Sequence, residues 1–202
     1  MTGSLGSDLP IIAANTYEHE LRWVLHWESD LSESDHRLLT RLLADIYPAH
    51  TARFKEACSW SGAQPEGRIV GYQGEHAVAH LGFVRRILRT EANEIGILTA
   101  DVGLVGIRSD LQGKGVGRKL LHQIANVFKS LNIPYAFLTC REAVVPFYES
   151  GGWVRLLDSK VKMIDNHYQP ELYTGPAMIL PSAVPFEQWP HGETIIRDGL
   201  EV

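Results

Sequence analysis

Only two cysteines, Cys58 and Cys140, occur in the 202-residue sequence. That is too few for a disulfide framework, and a reducing compartment is the expectation. No stretch approaches the roughly 20 consecutive apolar residues of a membrane span. Met1 to Asn15 has neither a basic start nor a long apolar run. A cytoplasmic protein without a membrane partner is therefore expected. Positive charge is scarce as well: a formal net charge of −5 argues against a nucleic-acid partner and mildly favours a cationic small-molecule substrate. Neither an internal repeat nor a low-complexity segment is present.

What the chain does have is 45% hydrophobic residues, enough to bury a sizeable core in one domain. That domain is expected over residues 21–202, after a loosely held lead-in over 1–20. Leu21 to Trp27 alternates like a strand. Ser32-Glu33-Ser34-Asp35 has the form of a helix N-cap, followed by Leu38, Leu39, Leu42, Leu43 and Ile46 at helical spacing. Phe54, Ala57 and Trp60 suggest a short helix. Arg68 to Tyr72 and His76 to Arg86 flank Gln73-Gly74-Glu75 as a hairpin, and after a turn at Asn93 a further strand runs from Ile95 to Ile107. Leu120, Ile124, Val127, Phe128 and Leu131 form one helical stripe ending before Pro134, and Tyr135 to Thr139 reads as a buried strand, which predicts a right-handed parallel crossover. Arg141 to Ser150 reads as a short helix, Trp153 to Met163 as one strand. From about residue 165 the tail carries Pro170, Pro176, Pro181, Pro185 and Pro190, leaving room for at most one more strand near Ala177 to Leu180.

The stretch that organises the chain is Gln112-Gly113-Lys114-Gly115-Val116-Gly117, between an apolar strand and an apolar-striped helix. Glycines at alternate positions let a tight turn aim successive N–H groups into one concavity, and the helix start adds its unpaired first-turn donors. A pyrophosphate fits such a cradle. It is not a P-loop, because Gly117 is followed by Arg118-Lys119-Leu120 with no hydroxyl for magnesium. It is not a dinucleotide fingerprint either, because Leu120 stands where the third glycine belongs.

Q-x-x-G-x-G after a hydrophobic strand resembles the GCN5-related N-acetyltransferase (GNAT) superfamily, which binds acyl-coenzyme A through this motif. Phe147-Tyr148-Glu149-x-Gly151-Gly152-Trp153 resembles the superfamily's F-Y-x-x-x-G-[FW] signature. The resemblance implies an α/β fold of α+β type. Its mixed central sheet would have about seven strands, an antiparallel N-terminal meander and a parallel strand–helix–strand core, flanked by about four helices. It also implies direct attack of an amine on a thioester, with acetyl-coenzyme A as co-substrate, and dimers occur in the superfamily. By this resemblance Val105, Gly106, Ile107, Gln112, Gly113, Lys114, Gly115, Val116, Gly117 and Arg118 bind coenzyme A, and Tyr148 is the acid that protonates the departing thiolate.

Two candidates remain for the base. Asp101 shares a strand face with Gly103 and Val105 by period two, and His80 sits mid-strand among apolar neighbours. His76 and His80 lie about 13 Å apart on a strand, too far to share a metal, and no metal site is expected. Cys140 reads as a buried inert thiol.

A narrower resemblance runs from about Leu21 onward, through Ala79-His80-Leu81-Gly82-Phe83-Val84-Arg85-Arg86, Ala100-Asp101-Val102-Gly103-Leu104, Ile133-Pro134-Tyr135-Ala136-Phe137 and Glu187-Gln188-Trp189-Pro190-His191-Gly192. These stretches are similar to rhizobial nodulation protein A, an N-acyltransferase family that places a fatty acyl chain on a chitooligosaccharide amine. The Phe147 to Trp153 segment departs from that pattern and is similar to aminoglycoside 2'-N-acetyltransferases. Both families imply an aminosugar acceptor and differ in the donor. The expectation formed on this basis is acetylation of an aminoglycoside such as kasugamycin, with Glu56, Trp60, Asp101, Glu187 and Trp189 binding the sugar. The alternative is a lipid-chain transferase, for which Arg85, Arg86 and Arg89 would dock an acidic carrier protein. A third reading is a non-catalytic acyl-coenzyme A sensor.

Overall fold

A computed structural model describes residues 21–91, 96–165, 167–190 and 194–202. The lead-in over 1–20, the turn at Asn93 and the His191-Gly192 pair lie outside the described residues.

Strand β1 (Arg22–Trp27) leads to helix α1 (Glu33–Ile46). The helix starts where the sequence signals it: the Ser32 side chain accepts from the Asp35 N–H, and the Asp35 carboxylate accepts from the Ser32 N–H, satisfying two otherwise orphaned groups. A 3-10 turn over Pro48–Arg53 follows. The short helix expected through Phe54, Ala57 and Trp60 is absent. That segment is irregular, held by its buried Phe54 and Ser59.

Strands β2 (Gly67–Gln73), β3 (His76–Thr90) and β4 (Gly96–Ile107) form the antiparallel meander. Helix α2 (Val116–Ser130) then crosses to β5 (Tyr135–Thr139), which pairs parallel to β4. Neighbouring residues of a strand face opposite ways. Ile69, Val78 and Leu81 pack with Leu120, Leu121, Ile124 and Phe128 of α2, whereas Val70 and Ala77 pack with Leu39 and Leu42 of α1. The two helices thus cover opposite faces of the sheet. Each such fully buried Leu or Phe contributes about 1.5–3 kcal/mol.

The second half of the chain departs from expectation. After α3 (Val145–Glu149), the single strand read over Trp153 to Met163 is two, β6 (Val154–Leu156) and β7 (Lys160–Ile164), divided by a turn with Asp158 at φ 56°. The tail supplies three strands: β8 (Pro170–Tyr173), β9 (Ala177–Pro181) and β10 (Thr194–Leu200). The sheet has ten strands among the described residues, in the order β6-β9-β5-β4-β3-β10-β7-β8, with β2 and β1 branching from β3. Among the described residues three α-helices accompany it. Although β6 and β7 are far apart in this order, three residues join them, a reach of roughly 13 Å at most. The sheet therefore curls round. A second core with Leu88, Phe137, Leu156, Val161, Ile179, Trp189 and Ile195 fills the curl.

Candidate active site

The cleft begins where β4 and β5 part. They pair from Thr99↔Tyr135 to Asp101↔Phe137 and no further. Beyond that point β4 carries a bulge: its register against β3 shifts between His80 and Gly82, and Leu104 adopts φ 53°. A bulge bends its strand and increases its twist. The wedge between the strands opens into a cavity of about 430 Å³, walled by Val102 to Val105 on one side and Leu138 to Arg141 on the other. Tyr47, Phe54, Tyr148, Glu201 and Val202 complete it, with His50 and Arg53 at its edge.

Past the cleft-lining Val105, β4 ends and the glycine turn leads into α2. Gly113 (φ 72°) and Gly115 (φ 80°) are left-handed, and a side chain at either would meet nothing within 4 Å, so the turn borders open space. Lys119 N–H makes an intrahelical bond to Gly115. The N–H groups of Val116, Gly117 and Arg118 ahead of it are first-turn donors without intrahelical acceptors, available to an anion. Gln112 turns inward instead, its amide donating to the Ile107 carbonyl at 3.2 Å, which ties the turn to the strand end. Gly117 has a packing reason: a Cβ there would meet the Phe147 ring at 2.8 Å. The glycine turn and the F-Y segment thus touch. Lys114, Arg118 and Lys119 are exposed around it.

Tyr148 stands on the cleft wall, 8% exposed, edge-on to Trp153 and Phe147. Burial, then the neighbouring Tyr47, Cys140 and Glu201, push its phenol well above the ordinary value, so it carries a proton at neutral pH. Tyr47, just past the end of α1, also lines the cleft and donates to the Val105 carbonyl at 2.8 Å. Cys140 is a free thiol raised to about 11 by burial and by Glu142, unsuited to carrying an acyl group. Gly106 backs onto Ile46 rather than the cleft.

Both expected bases turn out to be internal. His80 is fully buried; its Nδ1 donates to the Leu104 carbonyl at 2.8 Å and its Nε2 accepts from Arg68 at 3.2 Å. Desolvation, then Arg68, lower it to about 3. It is a neutral brace for the bulge, extended through Arg68 to Glu28 at 2.6 Å. Asp101 is also fully buried and pairs with Arg86 at 3.2 Å and Arg197 at 3.5 Å. The bulge ends the alternation that placed it with Gly103 and Val105. Burial raises its carboxyl to about 6 against the pull of Arg197 and Arg86. It does not line the cleft.

The expected sugar-binding residues are not gathered there either. Glu56 is exposed at φ 53° and Trp60 packs edge-on against His36. Trp189 is buried against Tyr135, and Glu187 borders another hollow beside Asn132 and Pro185. These two lie near the start of β5, the far end from the cleft. The three arginines are engaged: Arg85 with Glu66, Arg89 with Asp198, Arg86 with Asp101. No free basic patch is formed by them. What sequence reading missed is Glu201, which lines the cleft and would be signalled only by a strand before it.

Among the described residues no group of His, Cys, Asp or Glu could hold a metal, and no helix is long and apolar enough to cross a membrane. Solved structures share the fold: a GNAT family N-acetyltransferase, YhbS, from Escherichia coli in complex with CoA has a TM-score of 0.58 at 11% identity, covering 87% of this chain and 89% of that one. Escherichia coli ElaA has a TM-score of 0.55 at 16% identity, covering 79% and 99%. In sequence, nodulation protein A of Azorhizobium caulinodans is 32% identical over 200 residues, covering 91% of this chain and 85% of that protein. The Mesorhizobium plurifarium protein is 32% identical over 204 residues, covering 91% and 98%. The model of the family described as nodulation protein A matches residues 18–202. With the splayed strands, the glycine turn and the cleft tyrosine in place, this chain belongs to the nodulation protein A family of N-acyltransferases, on the GNAT fold.

Proposed function

We propose that this protein transfers an acyl group from a pantetheine thioester to the free amine of an aminosugar, with a chitooligosaccharide amine favoured over an aminoglycoside such as kasugamycin. The observation that carries the reading is the cleft between the parted strands with Tyr148 on its wall, beside a glycine turn that packs at Gly117 against Phe147, in a chain that matches nodulation protein A over residues 18–202. The thioester's phosphate end would rest on the first-turn donors of α2, from Val116 to Arg118, and the pantetheine arm would run between β4 and β5. Tyr148 would give its proton to the departing sulfur. If the donor is an acidic carrier protein, the exposed Lys114, Arg118 and Lys119 suit its docking, because Arg85, Arg86 and Arg89 are occupied.

Acetyl-coenzyme A keeps a specific point in its favour. The two left-handed glycines border open space beside the first-turn donors of α2, and such a cradle suits the pyrophosphate of coenzyme A.

The test is a donor-by-acceptor assay. Acetyl-coenzyme A, long-chain acyl-coenzyme A and acyl carrier protein are each offered a chitooligosaccharide with one free amine and a panel of aminoglycosides including kasugamycin. Acylated chitooligosaccharide is expected. Thiol release with an antibiotic alone would replace the acceptor, and silence in every pairing would remove the reading.

A further inference from the structure

The cleft is not the end of the open space. Glu201 and Thr139 line it, and the same two residues line a second cavity of about 160 Å³, bounded further by Met163, Ile164, Asp165, Glu171 and Tyr173. The two hollows share a wall at the Glu201 carboxylate.

That carboxylate is held. Its Oε1 accepts from the Thr139 hydroxyl at 2.5 Å and lies 3.3 Å from Arg197 Nη1, and its backbone carbonyl accepts from Ala63 N–H at 2.7 Å. The segment that carries it is held too. Arg86 donates to the carbonyls of Asp198 and Leu200, while Asp101 neutralises Arg86 and Arg197 from beneath. Around Glu201 stand Tyr47 from the end of α1, Tyr148 from α3, Arg141 after β5, Asp165 after β7, and Glu171 with Tyr173 from β8. On the cleft side both tyrosines feel its charge. The second cavity is bordered by carboxylates, whereas His50, Arg53 and Arg141 stand at the first. A cationic amine is drawn to the former and the anionic parts of a thioester donor to the latter.

Resting on the acyl-transfer reading, we infer that Glu201 is the catalytic residue that takes the proton from the acceptor amine, which reaches the thioester from the second cavity. The acceptor enters as R–NH₃⁺ and Glu201 removes one proton and releases it to water. The nitrogen lone pair forms the N–C bond as the C–S bond breaks, Tyr148 protonates the leaving sulfur, and the second N–H proton restores the tyrosine. Asp101 then acts at one remove, as a positioning residue for the segment that presents Glu201.

The test compares the wild-type chain with Glu201→Gln, Glu201→Asp and Thr139→Val in the thiol-release assay, as a function of pH, alongside coenzyme A affinity by calorimetry. Glu201→Gln is expected to lower kcat by roughly 10²-fold or more with coenzyme A affinity unchanged. Its deficit should shrink as pH rises, because the amine then arrives neutral. Glu201→Asp should recover part of the rate, and Thr139→Val should lose less than Glu201→Gln. Wild-type kcat in Glu201→Gln overturns the inference. So does a pH-independent deficit that comes with weakened coenzyme A binding, the mark of a merely structural role. A wild-type protein silent with every donor and acceptor would instead sink the acyl-transfer reading, and the role of Glu201 with it.

Discussion

The two sides of the cleft are built by different means. On the donor side, β4, the glycine turn and the start of α2 are consecutive in the chain, and the geometry follows from residues a few positions apart: Gly113 and Gly115 bend the backbone, and Gln112 pins it to Ile107. On the other side, Glu201 is placed by β10, whose anchors come from afar; Arg86 and Asp198 are 112 residues apart. The donor side needs little more than its own segment. The far side is a product of the whole sheet, held by buried ion pairs, which are costly to break because the surviving charge is left without compensation.

This contrast predicts separable failures. The largest is expected from Arg197→Met, which leaves Asp101 with one cation fewer and should destabilise the fold by about 3 kcal/mol in urea denaturation. Coenzyme A should still bind the folded fraction. Loss of that binding would mean the two sides are one unit. On the donor side Gly115→Asp puts a carboxylate where the anion sits, a like-charge clash costing several kcal/mol, so coenzyme A affinity should fall on the order of 10²-fold or more, while the left-handed backbone at φ 80° costs the fold about 1 kcal/mol. Normal affinity would refute the cradle. Tyr148→Phe, between the two, should lower kcat by roughly 10²-fold and leave coenzyme A affinity alone; an unchanged rate would take Tyr148 out of the chemistry.

The last effect concerns pH and, per pH unit, is the smallest. His80 is held neutral at about 3 in the fold against an ordinary value near 6.5. The unfolded chain therefore takes up its proton first as pH falls. The stability is fully present above about 6.5 and is lost below it, by up to about 1.4 kcal/mol per pH unit. Urea midpoints from pH 7.5 to 4.5 should show this slope, and His80→Gln should flatten it. An equal slope in both proteins would assign the acid sensitivity to other groups.

Legibility in the sequence divides along the same line. The capping box at Ser32, the hairpin about Gly74, the meander, the crossover helix and the glycine turn are local patterns, and each stands where its residues put it. Asp101 and His80 were conspicuous as polar residues within apolar strands, but their partners, Arg197 and Arg68, lie on other strands and no spacing rule connects them. Strand β10 escaped notice because Thr-Ile-Ile-Arg-Asp-Gly-Leu has a buried arginine where a hydrophobic pattern expects an apolar residue. The turn at Asp158 was hidden by apolar residues on both sides of it. Trp189 was conspicuous for its ring, and a ring fills a core as readily as it stacks on a sugar.

Strand β10 is also the last of the ten to be synthesised, yet it lies inside the sheet, between β3 and β7. Until it emerges from the ribosome, the Arg89–Thr90 end of β3 and one edge of β7 offer unpaired backbone to any passing strand. A nascent chain at that stage already carries its glycine turn but has neither Arg197 nor Glu201. Synthesis thus delivers the donor half before the acceptor half, and a ribosome that stalls near residue 190 would release a chain with sticky edges and an unfinished site.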